Sequence, residues 1–353
     1  MSLGRVSVLW LAVLSSVCAC RAAAAVPPLA ELLDKYTQAL DATQSFISVW
    51  EASSVSSCNI PSWGMRTSNV QDFSRGEYRT DDKGRLYARS YRWGYTGSTF
   101  PNAPEDRPLY VMQVIGCEFA YRYNRHLGSK YNGHLSYREE GTPGWDDPDR
   151  KSWGYFERNT HNNLFLGYVG TKARLDEILR KAVRVSVRPE PERINGALCY
   201  TIEARTRRGD FQLWLDSEHG YHPARITVFV GPGDDIGDPG APHIITRKEG
   251  ITREYMLHNI RFEKVDGVWV PMEADRTGHI VLGSENGFSD ARCHFKRTKI
   301  VLDPDHDALG SFENPVKHPE LDPELHEGAV VYFGKAGPCT WQGGKIVPRE
   351  EQE

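Results

Sequence analysis

Residues Ile194 to Val228 read INGALCYTIEARTRRGDFQLWLDSEHGYHPARITV. Asn195-Gly196 is a strong signal for a two-residue hairpin turn, because both positions favour positive φ. It feeds ALCYTIEA, in which apolar and polar residues alternate. Alternation of period two places one set of side chains on each face of a strand. Phe211 to Leu215 (FQLWL) alternates again and stops at the turn-forming run Asp216-Ser217-Glu218-His219-Gly220. Arg225 to Val230 (RITVFV) follows. Three alternating segments joined by short turns predict an antiparallel meander rather than βαβ units.

The pattern extends in both directions. Gly76 to Arg92 reads as a hairpin about Asp81-Asp82-Lys83-Gly84, and Val183 to Arg188 alternates. Ile251 to Phe262 turns at Lys264-Val265-Asp266-Gly267 into Val268 to Met272. Further strand segments are Arg292 to Leu302, Ala329 to Phe333 and Thr340 to Val347. Long loops are expected at 97–108, 124–163 and 231–250. Two segments have the helical period instead. Leu29 to Asp41 places Leu29, Leu32, Leu33, Tyr36 and Leu40 on one face. Thr171 to Ala182 does the same with Leu175, Ile178, Leu179 and Ala182, and Thr171 is a suitable N-cap.

One face of the strands is apolar: Tyr200 and Ile202; Phe211, Leu213 and Leu215; Ile226, Val228 and Val230; Ile260 and Phe262; Val268, Val270 and Met272. The opposite positions are mostly polar, with Trp214, Phe229 and Trp269 as exceptions, so that face is expected to be largely wet. Two helices are too little cover for a flat sheet of about ten strands. The expected fold is therefore α+β and β-dominated, with a strongly curved antiparallel sheet wrapped around one or two amphipathic helices.

Arg5, the apolar run Val6 to Val17 and the alanines at 22–25 read as a secretory signal peptide over residues 1–25. Residues 26–353 then form a single domain. Val17-Cys18-Ala19-Cys20 also fits a lipoprotein box, which would place a lipid on Cys20. An exported protein can form disulfides, so one or two are expected among Cys58, Cys117, Cys199, Cys293 and Cys339, with one thiol left over; the alternative is that several are small buried residues. The chain has a formal net charge of −4, mixed along its length, which argues against a nucleic-acid partner.

Motifs for chemistry are few. There is no C-x-x-C, H-E-x-x-H, G-x-S-x-G or phosphate-binding glycine loop. His219 and His222 suit a solvated turn. Asp303, Asp305 and Asp307 begin like a calcium loop, but Ala308 and Asn314 stand where Gly and Glu belong. Glu139-Glu140 and Asp146-Asp147 read as surface pairs. No catalytic residue, metal site or cofactor is assigned, although a pair of carboxylates can hydrolyse a polymer without any local motif.

The segment 194–228, with FEKVDGVWVP at Phe262 to Pro271 and CTWQGGKIVP at Cys339 to Pro348, resembles the LolA/LolB-like superfamily. More narrowly, it is similar to its envelope proteins described as outer-membrane lipoprotein-sorting proteins. An opening helix followed by a strand with Trp50 fits the same pattern. The resemblance implies a half-barrel with an apolar cavity between sheet and helices, which in the carriers holds the acyl chains of a lipoprotein. It implies a cavity lined by Leu33, Tyr36, Trp50, Tyr200, Ile202, Phe211, Leu213, Leu215, Ile226, Val228, Val270 and Met272. Each of these also suits plain core packing. The function expected is a periplasmic or envelope-associated binder or carrier of lipid or acylated lipoprotein, not an enzyme. The alternatives are a protein-binding envelope regulator or structural module with a filled core, and a cell-envelope hydrolase.

Overall fold

Asn195 (φ 52°) and Gly196 (φ 91°) both adopt positive φ, the geometry of the tight hairpin turn that their sequence predicts. Asp266 (φ 49°) and Gly267 (φ 87°) repeat it. The computed structural model describes residues 26–61, 64–94, 104–128, 133–140, 165, 167–169, 173–235, 250–283, 287–333 and 338–349. The leader-like segment, Cys20, Asp146-Asp147 and Thr171 lie outside the described residues, as does most of the expected loops 97–108 and 231–250.

Two helices are described, α1 (Leu29–Asp41) and the shorter α2 (Leu175–Arg180). The strands are β1 (Phe46–Ile60), β2 (Met65–Thr80), β3 (Leu86–Gly94), β4 (Leu109–Ile115), β5 (Phe119–His126), β6 (His134–Glu139), β7 (Tyr168–Val169), β8 (Ala173–Arg174), β9 (Arg184–Val187) and β10 (Glu192–Ile194). They continue with β11 (Ala197–Thr206), β12 (Gly209–Asp216), β13 (Pro223–Val230), β14 (Ile251–Val265), β15 (Val268–Leu282), β16 (Gly287–Leu302), β17 (Val330–Phe333), β18 (Pro338–Gln342) and β19 (Lys345–Pro348).

Seventeen of these strands form one curved, open sheet. β9 and β10 both pair with the same edge of β11. From there the sheet runs antiparallel through β12, β13, β14, β15 and β16. β16 pairs with β1, and the sheet continues through β2 to β6. It ends with a parallel pairing of β6 to β17 and the closing pairs β17–β18 and β18–β19. Register shifts at Val49/Trp50, Trp214/Leu215 and between His258 and Phe262 interrupt the ladders. Such bulges bend strands and increase their twist.

The main core lies between the sheet and α1. It joins Leu32, Leu33, Tyr36 and Leu40 of α1 to Ile202, Phe211, Leu213 and Ile226 of the sheet. Fully burying one such side chain contributes about 1.5–3 kcal/mol. Leu86 and Ala88 of β3 belong to this core, whereas Tyr87, between them, belongs to a second one. Adjacent strand residues point to opposite faces, so the two cores lie back to back across one sheet.

Over β3–β6, outside the strands whose opposite face was expected to be wet, the outer face is covered: residues 303–333 and 338–341 bury Tyr110, Tyr121, Tyr123 and Tyr137 with Phe312, Val331 and Trp341. Three expectations need correction. Part of the expected loop 124–163 is strand β6, whose Leu135 and Tyr137 alternate into this second core. The helix expected from Thr171 begins at Leu175, because Ala173 and Arg174 pair with Tyr168 and Val169 in a two-stranded ribbon. All five cysteines are unbridged; Cys58, Cys199, Cys293 and Cys339 are buried, and Cys117 is exposed.

Candidate functional site

The side chains expected to line a cavity are all buried. Leu33 and Tyr36 lie on the inward face of α1, and Trp50 on β1 packs 5.9 Å from Phe295 of β16. Tyr200, Ile202, Phe211, Leu213, Leu215, Ile226 and Val228 form the sheet side of the same core. Val270 and Met272 are buried, but neither is among the core residues around α1 or the residues that line the two cavities at its seam. The β14–β15 ladder slips by one at Arg261↔Glu273 and returns at Phe262↔Pro271, which leaves Met272 as an extra residue in β15, and it is Pro271 that reaches the cavities. A one-residue slip exchanges the faces of a strand.

Two small adjoining cavities lie at the seam between α1 and the sheet. One, of about 10 Å³, is lined by Tyr36, Leu40, Phe165, Ile226, Leu257 and Ile260. The Tyr36 hydroxyl there is buried with no hydrogen-bond partner among the described residues. The other, of about 30 Å³, is lined by Phe46, Tyr78, Thr80, Arg174 and Arg297. Leu40, Phe165, His222 and Pro271 line both, so the two are neighbours that share these walls.

Arg297 dominates the second cavity. Cys293, Phe295 and Arg297 are the inward positions of β16, between outward Lys296 and exposed Thr298. Arg297 is 4% exposed. Its Nη1 donates to the Pro271 carbonyl at 2.9 Å. Its guanidinium sits 5.1 Å from the Phe46 ring and 4.8 Å from the Phe165 ring, in cation–π range. Among the described residues it has no carboxylate partner. Burial pushes its pKa down to about 9, so it remains charged at neutral pH. The neighbouring Arg174 differs: it donates to Asp41 at 2.7 Å and pairs with Asp176 at 2.9 Å.

His222 also faces this cavity. It is 4% exposed, and burial pushes its pKa down to about 4, so the ring is neutral at pH 7. The expectation of a solvated His219–His222 turn is corrected on this point. His219 is held too, stacked 4.9 Å from Phe262 and 4.7 Å edge-on to Trp269, with Nδ1 2.7 Å from Asp216. Apolar walls supplied by β14 and β15 close over a turn that looks polar in sequence.

Beside the β14–β15 irregularity, an open cleft of about 580 Å³ is lined by Asp216, His219, Asn259, Phe262, Glu273 and Asp275. His294 bridges Asp275 at 2.8 Å and Glu273 at 3.7 Å. Burial raises the Asp275 pKa, but hydrogen bonds from Asn259 and His294 outweigh it and hold the group below the ordinary carboxylate value. That direction is opposite to what a general acid needs. Glu139 accepts a hydrogen bond from Tyr137, and Asp305 accepts one from the Ala308 backbone. Asp307 pairs with Arg85 at 2.7 Å. Among the described residues no group of three or more His, Cys, Asp or Glu is placed to hold a metal ion, and no helix is long and apolar enough to cross a membrane.

Arg297, Leu40, Phe165, Pro271 and His222 were not among the residues singled out in the sequence as lining. The alternation of β16 carried a signal for the first: in HFKRTK, Arg297 keeps the inward register set by Cys293 and Phe295.

No family model matches the chain, and no curated protein does. Three solved structures are similar to it. Lipovitellin, described in terms of its lipid–protein interactions, is 9% identical with a TM-score of 0.30, over 74% of this chain and 26% of its own. This chain thus spans about a quarter of that protein. MucB in complex with MucA is 9% identical with a TM-score of 0.22, over 78% of this chain and 100% of its own. An outer membrane protein from Bacteroides fragilis is 10% identical with a TM-score of 0.11, over 73% of this chain and 99% of its own. Likenesses this distant carry no argument about ligand or partner.

Proposed function

We propose that the protein is an exported, non-catalytic binder or carrier of a lipid or acylated molecule, which enters between the α1–α2 pair and the apolar face of the sheet. The observation that carries this reading is how the contacts of α1 divide. Toward α2 and its N-terminal flank they include directional polar bonds, beside the apolar packing of Leu175 and Leu179 in the shared core. Thr37 donates to Asp176 at 2.9 Å, Arg174 to Asp41 at 2.7 Å and Arg180 to Asp34 at 2.7 Å. Toward the sheet they are apolar, with Lys35 donating to the Tyr221 hydroxyl at 3.1 Å as the polar contact among the described residues. The helix pair therefore behaves as a unit, and acyl methylenes can replace its apolar contacts with the sheet at about 0.8 kcal/mol per buried CH₂. The leader-like residues 1–25 support an envelope location.

One observation favours a second reading, a protein-binding module with a filled core. The cavities at the seam, about 30 and 10 Å³, have room for only a few waters, so uptake of a long chain requires the helix pair to move. Native mass spectrometry of the full chain, purified gently and followed by lipid extraction, separates the two. A co-purifying acyl species near one equivalent is expected. A clean apo mass with no uptake of added lipid would sink the carrier reading and direct attention to protein partners.

A further inference from the structure

We propose that Arg297 receives the carboxylate of a single-chain amphiphile, a long-chain fatty acid in chemical class, whose alkyl chain passes into the adjoining apolar cavity beneath Leu40. The inference deepens the proposed binding of an apolar cargo and rests on that reading.

Three observations carry it. The first is the charge. Arg297 is 4% exposed, and among the described residues its one hydrogen bond goes to the Pro271 carbonyl. It has no carboxylate partner among the described residues, while the other arginine on the same cavity, Arg174, is satisfied by Asp41 and Asp176. A guanidinium offers five donors in a planar fork that matches a carboxylate. One donor on Pro271 leaves the others available. The second is size. The head cavity, about 30 Å³, accommodates roughly two water-sized positions, the footprint of the two oxygens of a carboxylate. A tetrahedral phosphate needs more room. The third is adjacency. Leu40, Phe165, His222 and Pro271 line both cavities. An amphiphile with its head on Arg297 therefore directs its chain, as the helix pair moves off the sheet, between α1 and Ile226, Leu257 and Ile260. The neutral His222 ring adds no competing charge, and Tyr78 and Thr80 offer hydroxyls at the head end.

The test is calorimetric titration of the full chain at pH 7.5 with palmitate, methyl palmitate and dodecyl phosphate, on wild type, Arg297→Lys and Arg297→Met. Palmitate is expected to bind wild type about 10- to 100-fold more tightly than its methyl ester, the range of one charge-assisted hydrogen-bonded contact. Arg297→Lys should retain part of that preference, and Arg297→Met should lose it while still binding the ester. Equal binding of acid and ester by wild type would overturn the head site and leave the apolar carrier reading standing. Tighter binding of dodecyl phosphate than of palmitate would overturn the choice of carboxylate. Failure of wild type to bind any of the three would overturn both the head site and the carrier reading. The acid-to-ester comparison on wild type decides the matter even if Arg297→Met does not fold.

Discussion

The Tyr121 hydroxyl donates a 2.6 Å hydrogen bond to Oδ2 of Asp322, 201 residues further along the chain. Tyr110 donates to Oδ1 of the same carboxylate at 2.8 Å. Asp322 is 1% exposed, and this fork fastens the segment after β16 to the outer face of β4 and β5. Asp322→Ala would leave two buried hydroxyls without their acceptor, at about 1–3 kcal/mol each. Chemical denaturation should show a loss of that order. Tyr121→Phe should cost less, because it removes one donor and leaves Tyr110 in place. Burial raises the Asp322 pKa above 3.8, against the hydrogen bonds from Tyr121 and Tyr110. A raised folded value means that this group's contribution is fully present below 3.8 and is lost as pH rises through the folded value. That slope should be absent in Asp322→Asn; an unchanged slope would show that Asp322 is not its source.

Asp176 should control the helix pair. Burial pushes its pKa up, but hydrogen bonds from Arg174 and Thr37 outweigh burial and hold it below the ordinary 3.8. Its contribution is therefore present above 3.8 and lost as pH falls through the folded value. Asp176→Asn should loosen α1, read as faster amide exchange over residues 29–41 and greater uptake of an apolar fluorophore at pH 7. Unchanged exchange in α1 would count against the helices moving as a unit.

His222 should give an acid-sensitive limb. Its value falls from the ordinary 6.5 to about 4 through burial. The folded state holds the ring neutral, so its contribution is present above 6.5 and lost as pH falls toward 4. At 1.36 kcal/mol per pH unit the full loss is about 3 kcal/mol. Denaturation midpoints measured from pH 7 to pH 4 should decline more steeply in wild type than in His222→Phe.

Cys117 is exposed, and the other four described cysteines are buried and unbridged. A chain lacking residues 1–25 should therefore show one fast-reacting thiol under native conditions and five after denaturation without reductant. Cys117→Ser should abolish the fast phase. Fewer than five thiols after denaturation would reveal a disulfide.

The central strands were readable because their signal is local. Alternation in ALCYTIEA, FQLWL and RITVFV, with turns at Asn195-Gly196 and Asp266-Gly267, requires no knowledge of distant partners. The same alternation was present in β6, at Leu135 and Tyr137, but in a short strand. Its pairing with β17 joins His134 to Val330 across most of the chain, and no local period shows that. The inward position of Arg297 was likewise implied by the register of β16, but an arginine in that register reads as polar until the rings of Phe46 and Phe165 are seen around it.

By itself the sequence determined a β-dominated chain, a curved antiparallel meander, an opening amphipathic helix and an apolar inner face from Tyr200 to Val228. These follow from backbone periodicity and turn stereochemistry, which act over a few residues. Only the tertiary structure decided that a second core lies behind β3–β6 and that the extra residue Met272 in β15 leaves Pro271, rather than Met272 itself, at the cavity. The same is true of the seam, tightly filled except around one buried guanidinium. Those outcomes depend on which distant surfaces exclude water together, and burial of that kind is a property of the whole packed chain.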